Sequence, residues 1–151
     1  MIAKYYKVPG PIITCESVMT GYAVVLASGE LERVQAVSMI SSIAASSDTP
    51  VQVFVTMNGL SAFEKDRVEN GDFQVAGPAG EAMLQGSGDE VPLFTEQLER
   101  AKGIGPLEVY ACEMVMDLMG TDLDDYVDVF DDTLGVAGFL NRAADKQVLF
   151  V

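Results

Sequence analysis

The stretch Val109-Tyr-Ala-Cys-Glu-Met-Val-Met-Asp-Leu-Met-Gly120 brings one thiol, two carboxylates and three thioethers into twelve residues. Cys112 ends an apolar run, at a point where a strand gives way to a helix. Unpaired backbone N–H groups at a helix N-terminus favour an anion, and a thiolate is an anion. Cys112 is therefore the candidate nucleophile, weighed against packing as a small buried hydrophobe. No lysine or arginine lies within six residues of it, and Glu113 and Asp117 are both negative. The helix end must then stabilise a thiolate nearly alone. Asp117 is a candidate proton donor, and Met114, Met116 and Met119 read as core filler before metal ligands. A copper(I) site built from thioethers and Cys112 is only weakly signalled. A serine at position 112 is expected to be tolerated, because a strand end offers polar backbone to a hydroxyl.

The rest of the composition removes most other chemistries. Histidine is absent, which excludes Cys-His and Ser-His catalysis within one chain and removes the commonest zinc and copper ligand. The two cysteines, Cys15 and Cys112, are too few for a disulfide scaffold or a four-thiolate zinc site. Cys15 reads as incidental. The run Asp122, Asp124, Asp125, Asp128, Asp131 and Asp132 lacks the glycine and terminal glutamate of an EF-hand loop, so it reads as a solvated surface. No metal and no cofactor is expected. The net charge of −14 repels nucleic acid, and no basic cluster overrides it; a basic protein partner fits better. Pro9, Gly10 and Pro11 stand where a signal peptide would need an apolar run. Val34 to Ser47 is too short and too rich in serine to span a bilayer. A soluble, cytoplasmic protein is expected.

The positioning elements follow from periodicity. Tyr22–Ser28, Val51–Thr56, Leu107–Ala111, Val127–Phe130 and Gln147–Val151 read as strands. Continuous apolar runs such as the first suit a parallel sheet buried on both faces. Glu30 to Ser47 carries Val34, Val37, Ile40 and Ala44 at helical spacing, and is apolar or small around most of its circumference. A short helix after Asn58-Gly59 turns Leu60 and Phe63 inward. Helices are also predicted over Leu93–Lys102 and Glu113–Met119, with a turn over Asp122–Tyr126. The last runs from a Thr133 cap to about Ala144. Alternating strands and helices argue for a single α/β domain over residues 21–151: a three-layer, open, mainly parallel sheet with helices on both faces. Residues 1–20 read as an N-terminal arm. Residues 69–91, rich in glycine, read as a mobile loop with one helical turn around Ala82–Leu84.

Ligands in such sheets bind beyond the carboxyl ends of the strands. Three ends there are small or polar: Ser28-Gly29, Thr56-Met57-Asn58-Gly59 and Ala111-Cys112. Gly29, Asn58 and Gly59 are therefore candidate pocket residues beside Cys112.

The segments GYAVVLASGELERVQAVSMISSIAASSDTPVQVFVTMNGLSAF, VYACEMVMDLMG and GVAGFLNRAADKQVLFV together resemble the DsrE/DsrF-like sulfur-relay family. More narrowly, they resemble the branch often labelled predicted peroxiredoxin or sulfur-reduction protein. The likeness runs from about Gly21 to Val151, apart from the glycine-rich insertion. Its most specific part is Cys-x-Met-x-x-Asp-x-Met-Gly, ending at Gly120. Val115 stands where the family commonly has serine or threonine, which removes one polar neighbour of the thiol. The resemblance implies a small α/β fold, trimers or hexamers, and a cysteine that carries sulfane sulfur as a persulfide or thiosulfonate. Carried onto this chain, that cysteine is Cys112, with Met114 and Met116 shielding the bound sulfur. Its partners would be a small sulfur donor or a sulfur-carrier protein. Sulfur transfer needs a thiolate in a moderately exposed pocket, but no histidine and no metal. The rival readings are a thiol peroxidase that resolves Cys112 with Cys15, and a non-catalytic binding module.

Overall fold

Five parallel strands, β1 (Tyr22–Leu26), β2 (Val51–Val55), β3 (Leu107–Cys112), β4 (Asp132–Leu134) and β5 (Gln147–Phe150), form one sheet in the order β4-β3-β2-β1-β5. The computed structural model describes residues 19–86 and 91–151; Cys15 and almost all of the predicted arm lie outside the described residues. Every residue of β2 is buried, as the near-continuous apolar strands of a doubly covered parallel sheet require. Side chains alternate between faces, and the register places Val24, Val53 and Val109 on one face and Val25, Phe54 and Tyr110 on the other.

Helices α1 (Leu31–Ser46), α2 (Lys65–Asn70), α3 (Pro78–Leu84), α4 (Phe94–Ile104) and α5 (Glu113–Met119) fall within the crossovers that carry the chain from β1 to β4. Those steps all run in one direction across the sheet, so right-handed connections put them on one face. Helix α6 (Val136–Arg142) returns from β4 to β5 across the opposite face. There Phe139 stacks on Phe54 with ring centroids 4.7 Å apart, and the Arg142 guanidinium sits over the Tyr110 ring. The expected three-layer fold is the observed one.

Helix α1 turns differently from the expectation. Its buried side is Leu31, Val34, Gln35, Val37, Ser38, Ser41 and Ala45, whereas Ile40 is 51% exposed and Ala44 half-buried. A helix that is apolar or small around most of its circumference does not define its own inner face. Small residues settle the choice here by allowing close packing. Ser38 Oγ reaches Gln97 Oε1 of α4 at 2.6 Å, and a Cβ on Gly105 would meet the Ala45 carbonyl oxygen at 2.1 Å.

The fourth strand is also displaced. Val127–Phe130 is not a strand; β4 is Asp132–Leu134, so Thr133 lies within it and α6 starts after Gly135. The apolar residues that suggested a strand serve instead as core. Val129 is fully buried, and Phe130 packs on Phe63 and Tyr126. Asp131 supplies the ordering interaction: its N–H donates to the Val109 carbonyl, its carboxylate accepts from Val109 N–H at 2.8 Å, and it pairs with Lys102 at 3.0 Å. Within the acidic run, Asp122 and Asp125 form a reciprocal cap on a short 3-10 turn.

The described part of the glycine-rich insertion, residues 69–86, is more ordered than a loop. Residues 78–84 are the helix α3, and Gln74 bridges Glu30, its carbonyl accepting from Leu31 N–H. The Glu32 carboxylate on α1 accepts from the backbone N–H groups of Ala76, Gly77 and Gly80 at 2.8–3.1 Å. It thus caps α3 from another helix, satisfying donors that a helix start leaves unpaired. A Cβ on Gly80 would lie 2.4 Å from that carboxylate. Desolvation pushes the Glu32 carboxyl up, but the N–H groups of Glu32 itself, Ala76, Gly77 and Gly80 outweigh it and hold it below its ordinary value of 4.5. A depressed carboxyl stabilises the fold above its unfolded value and loses that contribution as pH falls through the folded one. Glu32→Gln is expected to release residues 74–84 at neutral pH, and acidification to release them in the wild type. Discounted for exposure, the loss is about 1–2 kcal/mol. Hydrogen exchange at Ala76 and Gly77 checks it; unchanged protection in the variant would show that the carboxylate does not hold the segment.

Candidate functional site

Cys112 closes β3 and is the N-cap residue of α5, as expected from the apolar run meeting an amphipathic turn. Two details depart from the sequence reading. The thiol makes no capping hydrogen bond to the α5 backbone. The residue is also 0% exposed, which corrects the expectation of a moderately exposed pocket. The register explains the cover. Cys112 lies opposite Leu134 of β4, on the face that α6 crosses, and α6 starts two residues beyond Leu134. Leu134 itself packs against Gly138, where a Cβ would come within 2.9 Å of Leu134 Cδ1. A serine hydroxyl at 112 therefore has no solvent to turn to. The expected tolerance of Cys112→Ser gives way to a cost of about 1–3 kcal/mol for an unpaired buried hydroxyl.

The loop ends of β1 and β2 do meet, but through packing. A Cβ on Gly29 would lie 2.4 Å from the Asn58 carbonyl oxygen, and one on Gly59 2.4 Å from the Leu26 carbonyl oxygen. Both glycines are there so that two βα loops can touch. Gly59 N–H also donates to the carbonyls of Thr56 at 2.9 Å and Ala27 at 3.2 Å. Neither glycine opens a cradle for a ligand.

Asn58 belongs to a different feature. It lines a cleft of about 130 Å³ whose walls include Met57, Leu60, Val115, Leu118 and Met119. The structure thus brings the end of β2 against α5. Cys112 is not among the lining residues; it is the N-cap residue of the same helix, with its side chain on the face that α6 crosses. Met57 takes φ +48°, a left-handed conformation that a bulky side chain rarely adopts, and is 53% exposed. Backbone strain of this kind costs about 1–3 kcal/mol and gathers at functional places.

The remaining predicted residues divide. Met116 is buried in the core, whereas Met114 is 54% exposed and gives the strand end no apolar cover. Asp117 is exposed. Gly120 terminates α5 at φ +66°, its N–H donating to the Asp117 carbonyl, which is the left-handed cap that glycine supplies best. Sequence reasoning passed over Met57, Leu118 and Met119 as a surface. The signal was present: a seven-residue helix with apolar side chains at 114, 115, 116, 118 and 119 cannot turn all of them inward.

Residues 89–150 match the model of the DsrE/DsrF/DrsH-like family, a stretch that contains Cys112 and excludes the Gly29 and Asn58 loops. The fold is similar to that of a protein of unknown function from Methanobacterium thermoautotrophicum, with a TM-score of 0.58, covering 86% of this chain and 97% of that one at 12% identity. No curated protein matches the chain. The resemblance read from the sequence is therefore borne out for residues 89–150, and the likeness to the solved structure bears out the three-layer α/β fold. No helix among the described residues is long and apolar enough to cross a membrane.

Proposed function

We propose that this DsrE-like protein is a sulfur carrier that holds sulfane sulfur on Cys112 and passes it to another thiol. The observation that carries the reading is the place of Cys112: a free cysteine at the strand-to-helix junction inside the segment that matches the family. The step needs neither oxidant nor metal. The Cys112 thiolate attacks the outer sulfur of a donor persulfide, R–S–SH. The donor S–S bond breaks, R–S⁻ leaves as a thiolate, and Cys112 becomes Cys–S–SH. Delivery is the same exchange in reverse, with the acceptor thiolate attacking the outer sulfur.

Because the thiol is covered, loading requires the strand end to open. The exposed side chains of Met57, Leu118 and Met119 offer a deformable apolar seat for a carrier protein. Glu64 lines it, and Glu113 and Asp117 are exposed on α5; these carboxylates favour a carrier with a basic rim. At −14, association with such a carrier is expected to slow as salt rises, and DNA and RNA are not expected to bind at moderate salt. Stopped-flow mixing across a salt series checks the first, and a gel-shift assay the second. The family resemblance further implies assembly as a trimer or a dimer of trimers.

Intact mass after exposure to a polysulfide tests the central reading. A gain of one or more sulfur atoms, localised to Cys112, supports it. Consumption of peroxide without sulfur uptake favours the thiol-peroxidase reading, and inertness to both leaves a binding module.

A further inference from the structure

We propose that the outer face of α1 is a self-docking surface, on which a second copy of this chain packs its own α1 antiparallel across a twofold axis. Between Val34 and Ser47 no residue is charged, in a chain with 23 acidic residues. The solvent side of that span is apolar or small. Ala36, Ile40, Ile43 and Ser47 are exposed and follow one another at intervals of four, three and four residues, the spacing of a helix-packing seam. Met39 and Ile43 share a groove of about 320 Å³ with Ile104 of α4, and Ile43 and Ile104 are 68% and 67% exposed.

Charge selects the occupant. Two copies, each at −14, repel one another, so they meet at least cost through a face that carries no acid. A basic partner finds no carboxylate on this seam to pair with. The ends of the seam are complementary to each other: Arg33 is exposed in the first turn, 2.9 Å from Glu30, and Asp48 is exposed just past the last. An antiparallel pair centred between Ile40 and Ile43 brings Arg33 of one copy within about 3 Å, along the axis, of the level of Asp48 in the other. It also opposes the two helix dipoles. Such a contact is isologous, and it joins two chains or two rings.

This inference rests on the oligomer reading above and is independent of the sulfur chemistry. The test is the light-scattering mass of the full chain at micromolar concentration, for wild type, Ile40→Glu and Ile43→Glu, with Phe150→Glu on the opposite sheet face as comparison. Both α1 side chains point to solvent, so the far-UV spectrum and melt should persist. A halving of mass in either α1 variant is expected, whatever Phe150→Glu does. In the wild type, raising salt should shift the mass upward at fixed chain concentration. An oligomer whose mass is unchanged in both α1 variants overturns the α1 contact and leaves assembly standing. A monomeric wild type overturns both, while sulfur uptake on Cys112 is read separately by intact mass.

Discussion

Cys112→Ala is expected to leave a folded protein that takes up no sulfane sulfur. Alanine keeps the position small and apolar, so the fully buried site at the end of β3 loses one sulfur atom's packing and gains no unpaired polar group. Cys112→Ser should lose uptake equally, but at a further stability cost of about 1–3 kcal/mol from its buried hydroxyl. The pair separates chemistry from packing: uptake falls to zero in both, while the melt falls further in serine than in alanine. The measurement is intact mass after polysulfide exposure, beside thermal melts at matched concentration. Uptake persisting in the alanine variant would place the sulfur on another residue and end the assignment to Cys112.

Phe63→Ala is expected to give the largest loss of stability, about 3–5 kcal/mol. Phe63 is fully buried, with ring centroids 5.0 Å from Phe94 and 5.2 Å from Phe130. Its carbonyl also accepts from Val127 N–H at 2.9 Å. One side chain therefore ties together the segment leading from Asn58, the start of α4 and the irregular stretch before β4. Its removal leaves a cavity bounded by three elements that cannot collapse together. Urea unfolding should show a lower midpoint with an unchanged slope. A loss below about 1 kcal/mol would mean that this aromatic cluster is not closed in solution.

Much of the fold was legible because strands buried on both faces leave long apolar runs, and Tyr22–Leu26, Val51–Val55 and Leu107–Cys112 are such runs. Val127–Phe130 misled for the same reason. Its residues are apolar because they fill space beside Phe63, not because they pair in a ladder, and composition does not separate the two causes. The insertion at 69–91 reads as a loop from its glycines, Asn70 and Pro78. Those glycines permit order here: Gly77 and Gly80 give their N–H groups to Glu32, more than forty residues away in sequence.

The candidate site shows the same division. That Cys112 stands where a strand meets a helix is fixed by neighbours in the chain, through hydrophobic period and the glycine stop at Gly120, and the sequence alone determines it. Whether its sulfur faces water depends on β4, its neighbour in the sheet, and on α6, which crosses the same face; both come from twenty or more residues further on. The same holds for Ile40: the helix around it is local, but its direction is not. A helix apolar or small around most of its circumference carries little record of which side is inner. Only close packing of Ser38, Ser41 and Ala45 against the rest of the fold turned Ile40 outward.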